Sequence, residues 1–310
     1  MIVHAVPLDV ACQWGIVSSD LSVASLSALL PRVVEAGYRR VVLPRVDADR
    51  PDLTEIAHVL RAHDVVPIGM SGVAPGADVG SADATERERG RRMLRSALAA
   101  IRVLGGDQLN GVPYGVFGDT ARAAPPGAFE RAATIVGALA DAAAADGVTV
   151  SFEVLNRYET SLINTARQAV DFIAASRSDN LRIHLDTFHM SVEESDGIPA
   201  AVRLAMPWLA YLELGQSGRG GLDAGAVDIP GVVAAALDDG YTGRWGVEAF
   251  TRAALDSAVA DRLAIWRSPY EDGLALAVDA HRVIRDGWTR SAVGRRARRL
   301  ERADSGTTDL

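Results

Sequence analysis

The sequence predicts an α/β fold of the (β/α)8 TIM-barrel class, and three observations support it. Short runs rich in β-branched residues alternate with longer runs rich in Ala, Leu and Arg along the 310 residues. Eight such units can be counted, and parallel strands joined by crossover helices produce this alternation. Glycine follows several of the helical runs, at Gly37, Gly105, Gly147 and Gly240, where a left-handed helix end favours it.

The predicted strands are short and apolar, and several end at a carboxylate. In chain order they run over Ile2 to Val6, Arg40 to Pro44, Val65 to Met70, Gln108 to Gly111, Val148 to Glu153, Leu181 to Asp186, Trp208 to Leu214 and Arg244 to Glu248. The predicted helices run over Val23 to Ala36, Leu53 to Ala62, Thr85 to Leu104, Gly127 to Ala145, Ala166 to Ala175, Pro199 to Ala205, Val232 to Asp239 and Leu274 to Trp288. Residues 1–290 are therefore predicted to form a single barrel domain, and the arginine-rich residues 291–310 a basic, disordered tail.

Composition excludes several classes of function. The formal net charge of −8 argues against binding to a nucleic-acid backbone, which needs clustered Lys and Arg. A single cysteine, Cys12, cannot form an internal disulfide. Neither a signal peptide nor a run of ~20 apolar residues is present, so the sequence predicts no membrane partner and a cytoplasmic location.

Carboxylates at strand ends are the most informative feature of the chain. Glu153, Asp186 and Glu248 each end an apolar strand, and buried carboxylates are costly unless a positive charge meets them. The chemistry of a barrel lies at the carboxyl ends of its strands, where these side chains would converge. Glu213 adds a fourth acid from strand seven. One such acid alone is more often a helix cap or half of an ion pair, but four on consecutive strands predict one shared Mn²⁺ or Mg²⁺ ion.

Two motifs carry a resemblance to a known family. The run EVLNRYE from Glu153 to Glu159, with LINTA after it, and LDTFHM from Leu185 to Met190 resemble the signatures of the ketose 3-epimerases related to D-tagatose and D-psicose (allulose) 3-epimerase. The similarity extends to VEAF around Glu248 and covers most of the chain. The parent grouping is that of the xylose-isomerase-like sugar isomerases and epimerases, which are (β/α)8 barrels.

The resemblance implies a role for each matching residue. Glu153 and Glu248 would bind the metal and serve as the two acid/base groups on opposite faces of the sugar, and Asp186 would be a metal ligand only. Proton removal next to the carbonyl would pass through a metal-stabilised enediolate, and return of a proton from the other face would invert that carbon. The substrate-binding residues implied by the motifs are Glu159, His189 and Arg219.

Several residues have two interpretations. Trp14 and Tyr114 follow strands one and four, where they could stack on the apolar face of a sugar or simply pack in the core. His189 could be an ordinary buried histidine, but its place at a strand end favours a site role. His184 is predicted to pack inside the barrel or against a helix.

The chain departs from the resembling family at the strand-seven ligand position. Histidine is usual there, whereas this chain has Glu213, which either makes the site more anionic as a fourth ligand or points away. Strand two ends in Leu43-Pro44-Arg45, where the family commonly has a substrate-binding Glu, and Gln216 replaces an acidic residue. These last changes affect recognition of the sugar more than binding of the metal.

The leading functional hypothesis is a divalent-metal-dependent epimerase or isomerase of a free ketose or related small sugar, with a homo-oligomer as a possible assembly. A second hypothesis is a lyase built on the same site, such as the catalytic subunit of a C-glycoside deglycosidase, which would need a partner subunit. A third is a noncatalytic sugar-binding barrel. An endonuclease on this barrel is disfavoured by the acidic balance and by the lack of a histidine-rich site.

Overall fold

A closed barrel of eight parallel strands forms the centre of the protein. This computed structural model describes residues 7–304, with side chains through residue 300. The strands are β1 (Val10–Gln13), β2 (Arg40–Val42), β3 (Val66–Val73), β4 (Gln108–Val116), β5 (Thr149–Glu153), β6 (Leu181–Asp186), β7 (Leu209–Gly215) and β8 (Arg244–Glu248). They pair in chain order, and β8 closes the barrel against β1 with Cys12 opposite Val247. The predicted (β/α)8 fold is confirmed.

Helices surround the strands and bury their outer faces. They are α1 (Val23–Glu35), α2 (Leu53–Ala62), α3 (Ala84–Leu104), α4 (Ala128–Ala144), α5 (Ala166–Ser176), α6 (Thr187–Glu193), α7 (Ile198–Ala205), α8 (Ile229–Asp238), α9 (Ser257–Arg262), α10 (Gly273–Arg290) and α11 (Ala292–Asp304). The apolar core lies between strands and helices, where Phe152 of β5, for example, packs against Phe172 of α5. None of the described helices combines the length and apolar character that a bilayer span requires.

The predicted first strand, residues 2–6, lies outside the described residues. The first described strand is Val10–Gln13, which pairs with both β2 and β8. Helix α8 begins at Ile229, three residues earlier than predicted, because Pro230 fits the first turn of a helix and Asp228 accepts a hydrogen bond from the backbone N–H of Gly231 at 3.0 Å.

The C-terminal region differs from its prediction. The sequence predicts disorder for residues 291–310, but Ala292–Asp304 forms helix α11. Ser291 begins this helix: it is fully buried, and its hydroxyl accepts a hydrogen bond from the backbone N–H of Gly294 at 3.0 Å. The backbone N–H of Ala292 donates to Asp238 on α8. The Ser291 cap and the close packing of Gly294 on α10 thus offset the repulsion among the arginines of α11.

Polar side chains fill much of the barrel interior. At the amino-terminal end, Arg40 and Arg244 both bind Asp107, at 2.7 and 2.6 Å. Further up, Ser151 donates to the Asn110 side chain at 2.6 Å. Ion pairs therefore fill the amino-terminal end of the barrel, and the strand-end acids lie at the opposite, carboxyl end.

Candidate active site

Four acids from consecutive strands meet at the carboxyl end of the barrel. Glu153, Asp186 and Glu248 are the last residues of β5, β6 and β8, and Glu213 lies opposite Asp186 in the register of β7. All four side chains are buried. Oxygens of Glu153 and Asp186 lie within 4.8 Å of each other, as do oxygens of Glu153 and Glu213. The structure thus places Glu153 near both Asp186 and Glu213, and Glu248 is connected to this group through Arg219, which contacts both Asp186 and Glu248.

Burial and mutual repulsion make these carboxylates hard to ionise. Loss of water raises the pKa of Glu153 to about 7, with a further contribution from Glu248. The pKa of Asp186 is raised to about 6 by the same burial, and the pKa of Glu213 is raised well above its usual range by burial and by the neighbouring acids. So much negative charge in one buried place favours either bound protons or a cation.

Arg219 supplies a positive charge to two of the acids. Its guanidinium lies 3.1 Å from Asp186 Oδ2, contacts Glu248 Oε2, and stacks over the Phe188 ring at 3.7 Å. The Arg219 backbone has a φ of 57°, a left-handed conformation that is uncommon for a residue other than glycine. The loop after β7 is therefore held in a strained turn that directs this side chain into the site.

Gln13 is a site residue that the sequence does not reveal. It ends β1, and its side-chain amide donates to Glu248 Oε1. Glu248 is therefore held between Gln13 on one oxygen and Arg219 on the other. Because the sequence places the first strand at residues 2–6, it gives no reason to look for a strand-end side chain at position 13.

His189 faces the acids with a nitrogen that carries hydrogen. Its Nε2 lies 3.3 Å from Glu153 Oε1 and 3.6 Å from Asp186 Oδ2. On the other side of the ring, Nδ1 accepts a hydrogen bond from the backbone N–H of Asn156 at 3.1 Å, so Nδ1 carries no proton. Burial lowers the pKa of His189, which keeps the ring neutral and places its one hydrogen on Nε2. Glu153, Asp186 and His189 have the spacing of a group that could hold a metal ion, but in this tautomer His189 offers the site a hydrogen and not a lone pair.

Asn156 is a second residue that the sequence analysis does not single out. Besides its backbone contact to His189, its side-chain amide donates to Glu159 Oε1 at 3.1 Å. Glu159 itself lies at the edge of the site, 3.9 Å from His189 Nε2. Asn156 therefore fixes the positions of both predicted substrate-binding residues on this side. Its place in the EVLNRYE motif, between Glu153 and Glu159, is the available signal.

Glu213 faces His184 inside the barrel. Its Oε2 lies 3.0 Å from His184 Nε2, and the His184 ring packs edge-on against Tyr211. The prediction that His184 packs within the barrel is consistent with this position. The other oxygen, Oε1 of Glu213, is buried and has no hydrogen-bond partner among the residues that the structure describes.

The two aromatic candidates differ from each other. Trp14 lines the cavity above the acids, although its indole N–H donates to the backbone oxygen of Asp20 at 3.0 Å. Tyr114 does not: it is fully buried, packs against Phe152 and Phe172, and its hydroxyl donates to the backbone oxygen of Glu153 at 2.8 Å. Of the two interpretations of Tyr114, the structure supports packing in the core, because the ring is buried against Phe152 and Phe172.

A cavity of about 620 Å³ opens above these residues. Its polar wall is formed by Gln13, Glu153, Glu159, His189, Arg219 and Glu248. A cavity of this size with a few convergent polar groups is typical of a small-molecule site. It can hold a small ligand directly against the two carboxylates Glu153 and Glu248.

Comparison with known proteins identifies the family. The sequence profile described as "xylose isomerase-like TIM barrel" matches residues 30–276. The chain belongs to this xylose isomerase-like TIM-barrel family.

Several members of the xylose isomerase-like family are similar over nearly their whole length. An L-ribulose 3-epimerase from Mesorhizobium japonicum is 32% identical over 269 residues, which cover 86% of this chain and 90% of that protein. A ketose 3-epimerase from Arthrobacter globiformis is 30% identical over 91% of this chain and 97% of the relative. A solved structure of an L-ribulose 3-epimerase superposes with a TM-score of 0.86 at 29% identity, covering 98% and 100% of the two chains. A D-allulose 3-epimerase from Methylomonas sp. in complex with D-allulose gives 0.85 at 29% identity, covering 90% and 96%.

The residues of this family member fit a divalent cation. Four buried carboxylates lie at this end of the barrel, and the buried Oε1 atom of Glu213 has no hydrogen-bond partner within residues 7–300. Carboxylate oxygens are the ligands that Mg²⁺ and Mn²⁺ prefer. Because His189 Nε2 carries a hydrogen, the available ligand set consists of oxygens.

Proposed function

We propose that this protein is a divalent-metal-dependent ketose 3-epimerase. The observation that carries this proposal is the pair Glu153 and Glu248, two buried carboxylates from strands on different sides of the barrel that line one cavity. Relatives that match most of this chain are named ribulose or ketose 3-epimerases, which supports the same reaction. In such a reaction the configuration of one carbon next to a carbonyl is inverted.

The ion would be held by Glu153, Asp186, Glu213 and Glu248, and Mn²⁺ or Mg²⁺ suits this set of oxygens. A divalent ion bound there would polarise a carbonyl oxygen of the substrate and so acidify the neighbouring C–H bond. Glu213 differs from the histidine expected at its position, and its free Oε1 atom supports a role as the fourth ligand. His184 Nε2 lies 3.0 Å from the other oxygen of Glu213, so the buried ring would limit the directions open to this carboxylate.

Glu153 and Glu248 would exchange the proton. One carboxylate removes the proton from the carbon next to the carbonyl, and the other returns a proton to the opposite face of that carbon, which inverts it. Burial raises the pKa of Glu153 to about 7 in the metal-free site, and a bound cation would lower this pKa and favour the carboxylate form that accepts a proton. Arg219 and Gln13 each hold one oxygen of Glu248 and so keep it oriented.

Around the reacting carbon, His189 would donate from Nε2 to a substrate oxygen, and Glu159 would accept from a hydroxyl. Both residues line the cavity and are held by Asn156. Arg219 also lines the cavity, with its guanidinium beside the two acids. These contacts would orient the carbonyl end of the ketose toward the carboxylates.

Elimination by a lyase is not favoured. The altered loop after β7 motivates that alternative, but the Gln216 side chain is used within the loop itself. Its Oε1 accepts from the backbone N–H of Val227 at 2.9 Å, and its Nε2 donates to the backbone oxygen of the same residue at 3.0 Å. Gln216 therefore stabilises the loop and is not free to act on a leaving group. The similar proteins are named epimerases.

Exchange of carbon-bound hydrogen tests the proposal. The Mn²⁺-loaded protein, incubated with D-allulose or L-ribulose in D₂O, is expected to form the C3 epimer and to incorporate deuterium at C3, which NMR detects. Glu153→Gln and Glu248→Gln should each lower the rate by about 10²–10⁴-fold. Glu55→Gln, the same change at an exposed position of α2, is the control. Absence of exchange with every ketose tested would refute the proposal, and binding without exchange would favour a sugar-binding barrel.

A further inference from the structure

The cavity has two chemically different walls. Strands β5 to β8 contribute the charged groups described above. Strands β2 to β4 contribute an apolar wall, with half-buried side chains at Met70, Val73, Val116 and Phe117. Beyond β8, Phe250, Leu255 and Leu263 line the cavity from the segment over it, together with the charged residues Asp256 and Arg262.

The polar groups on the apolar side are already engaged. The hydroxyl of Ser71 lines the cavity but donates to the backbone oxygen of Asn110 at 2.7 Å. Arg45, in the loop after β2, pairs with Asp47 at 2.7 Å. At the position where the resembling family commonly has a substrate-binding Glu, Leu43 and Pro44 line the cavity. The part of the wall formed by β2 to β4 therefore offers a substrate little hydrogen bonding from side chains, and Arg262 is left as the charged donor on the side of the segment after β8.

The size of the cavity also indicates a substrate larger than a free hexose. Its 620 Å³ corresponds to the space of roughly 20 water molecules, more than a free hexose displaces. A hydroxyl group placed against the apolar wall would lose water without gaining a partner, which opposes binding. A methylene group placed there gains from leaving water, and each one tightens binding about 4-fold.

We propose that the preferred ketose carries an apolar alkyl or aryl group at the end distant from its carbonyl. The carbonyl end lies against the acids and His189, and the apolar group lies between the β2–β4 wall and the loop after β8. This inference rests on the proposed epimerase function and specifies the class of its substrate.

Three ketoses that differ only at the distal end test it: D-allulose, its 6-deoxy form and its 6-O-benzyl ether. For each, KM and the rate of deuterium incorporation at C3 are measured with the Mn²⁺-loaded protein. The 6-deoxy sugar is expected to bind several-fold more tightly than D-allulose, and the benzyl ether at least 10-fold more tightly, with little change in kcat.

A change of polarity in the wall should reduce this preference. Val116→Thr keeps the shape of the side chain and adds a hydroxyl, and it should lower the ratio of the KM for D-allulose to the KM for the benzyl ether about 3-fold. Val192→Thr makes the same change at an exposed position of α6 outside the cavity, and it should leave the ratio unchanged.

Failure of the inference can be told apart from failure of the proposed function. Exchange of D-allulose with an equal or lower KM than the benzyl ether would overturn the inference and leave the epimerase function intact. Absence of exchange with all three sugars would refute the function. In that case the inference is tested separately by calorimetry, which measures the affinity of the Mn²⁺-loaded protein for each of the three sugars. Equal affinities would overturn the inference, and tighter binding of the benzyl ether would support it.

Discussion

The Glu213 carboxylate and the His184 imidazole face each other on neighbouring strands, with 3.0 Å between Oε2 and Nε2. Both side chains are fully buried beneath the other three acids. The contact uses one oxygen of Glu213 and leaves Oε1 without a partner among the described residues. Under the proposed function, Glu213 would take the place of the histidine that the resemblance implies at this position.

Replacement of either partner should weaken metal binding. Glu213→Gln removes one charge from the ligand set, and His184→Phe removes the group that orients Glu213 while retaining a ring to pack on Tyr211. Each variant should bind Mn²⁺ about 10–100-fold more weakly, as measured by electron paramagnetic resonance of free Mn²⁺ during titration. Glu55→Gln and His58→Phe, the same changes on the exposed face of α2, are the controls. Unchanged affinity in Glu213→Gln would show that this carboxylate does not bind the ion.

The guanidinium of Arg219 occupies a position between Asp186 and Glu248. Arg219→Leu leaves both carboxylates buried without it, and the metal-free variant should lose about 3–5 kcal/mol in the free energy of unfolding. Saturating Mn²⁺ should recover more stability in the variant than in the wild type, because the ion then has no competing positive charge beside these acids. Urea unfolding with and without Mn²⁺ measures both effects.

A matched control is Arg91→Leu, which breaks an exposed pair on α3 and should cost at most about 1 kcal/mol. Equal stabilisation of the wild type and Arg219→Leu by Mn²⁺ would contradict the expectation that the guanidinium and the ion act on the same acids.

Much of the fold and the acids of the site could be predicted from the sequence. The bounds of β6 and β8 agree with their predictions because each strand ends at a carboxylate that interrupts an apolar run. Residues whose role depends on a distant partner could not be predicted. Gln13 gains its role only from closure of β1 against β8, which brings it to Glu248, 235 positions along the chain.

Tyr114 is the opposite case, a residue to which the sequence assigned a site role but which the structure places in the core. Its place after a predicted strand suggested a sugar platform, but β4 continues to Val116, so the ring stands within the strand and faces Phe152 and Phe172. A residue can be assigned to the carboxyl end of a barrel strand only where the end of that strand is known. No carboxylate marks the end of β4, so its position could not be read from the sequence.

Tyr114 should therefore act through Glu153 and not on the sugar. Tyr114→Phe keeps the ring in the core but removes the hydrogen bond to the Glu153 backbone oxygen, and it should cost about 1–2 kcal/mol in the free energy of unfolding. Because the ring does not line the cavity, KM for the ketose should change less than 2-fold, whereas kcat should fall as Glu153 loses a fixed position. A large rise in KM at constant kcat would contradict this assignment.

His281 is a buried histidine far from the acids in sequence and on a different element, α10. Its ring packs against Tyr38 at 4.2 Å between ring centres, close to Gly37, whose φ is 103°. Neither ring nitrogen has a hydrogen-bond partner among the residues that the structure describes. Burial, with a smaller contribution from Arg285, lowers the pKa of His281 from 6.5 to about 4.

This histidine should make the protein less stable in mild acid. Below pH 6.5 the unfolded chain takes up a proton at position 281 that the folded protein does not accept, so stability is lost as the pH falls from 6.5 to about 4. The shift corresponds to about 3 kcal/mol. His281→Phe should remove this component, so that the difference in the free energy of unfolding between variant and wild type grows by about 3 kcal/mol between pH 7 and pH 4, measured by urea unfolding of the metal-free proteins. His58→Phe, at an exposed position of α2, is the control. A difference between His281→Phe and wild type that stays constant over this range would mean that the ring is protonated in the folded protein as readily as in the unfolded chain.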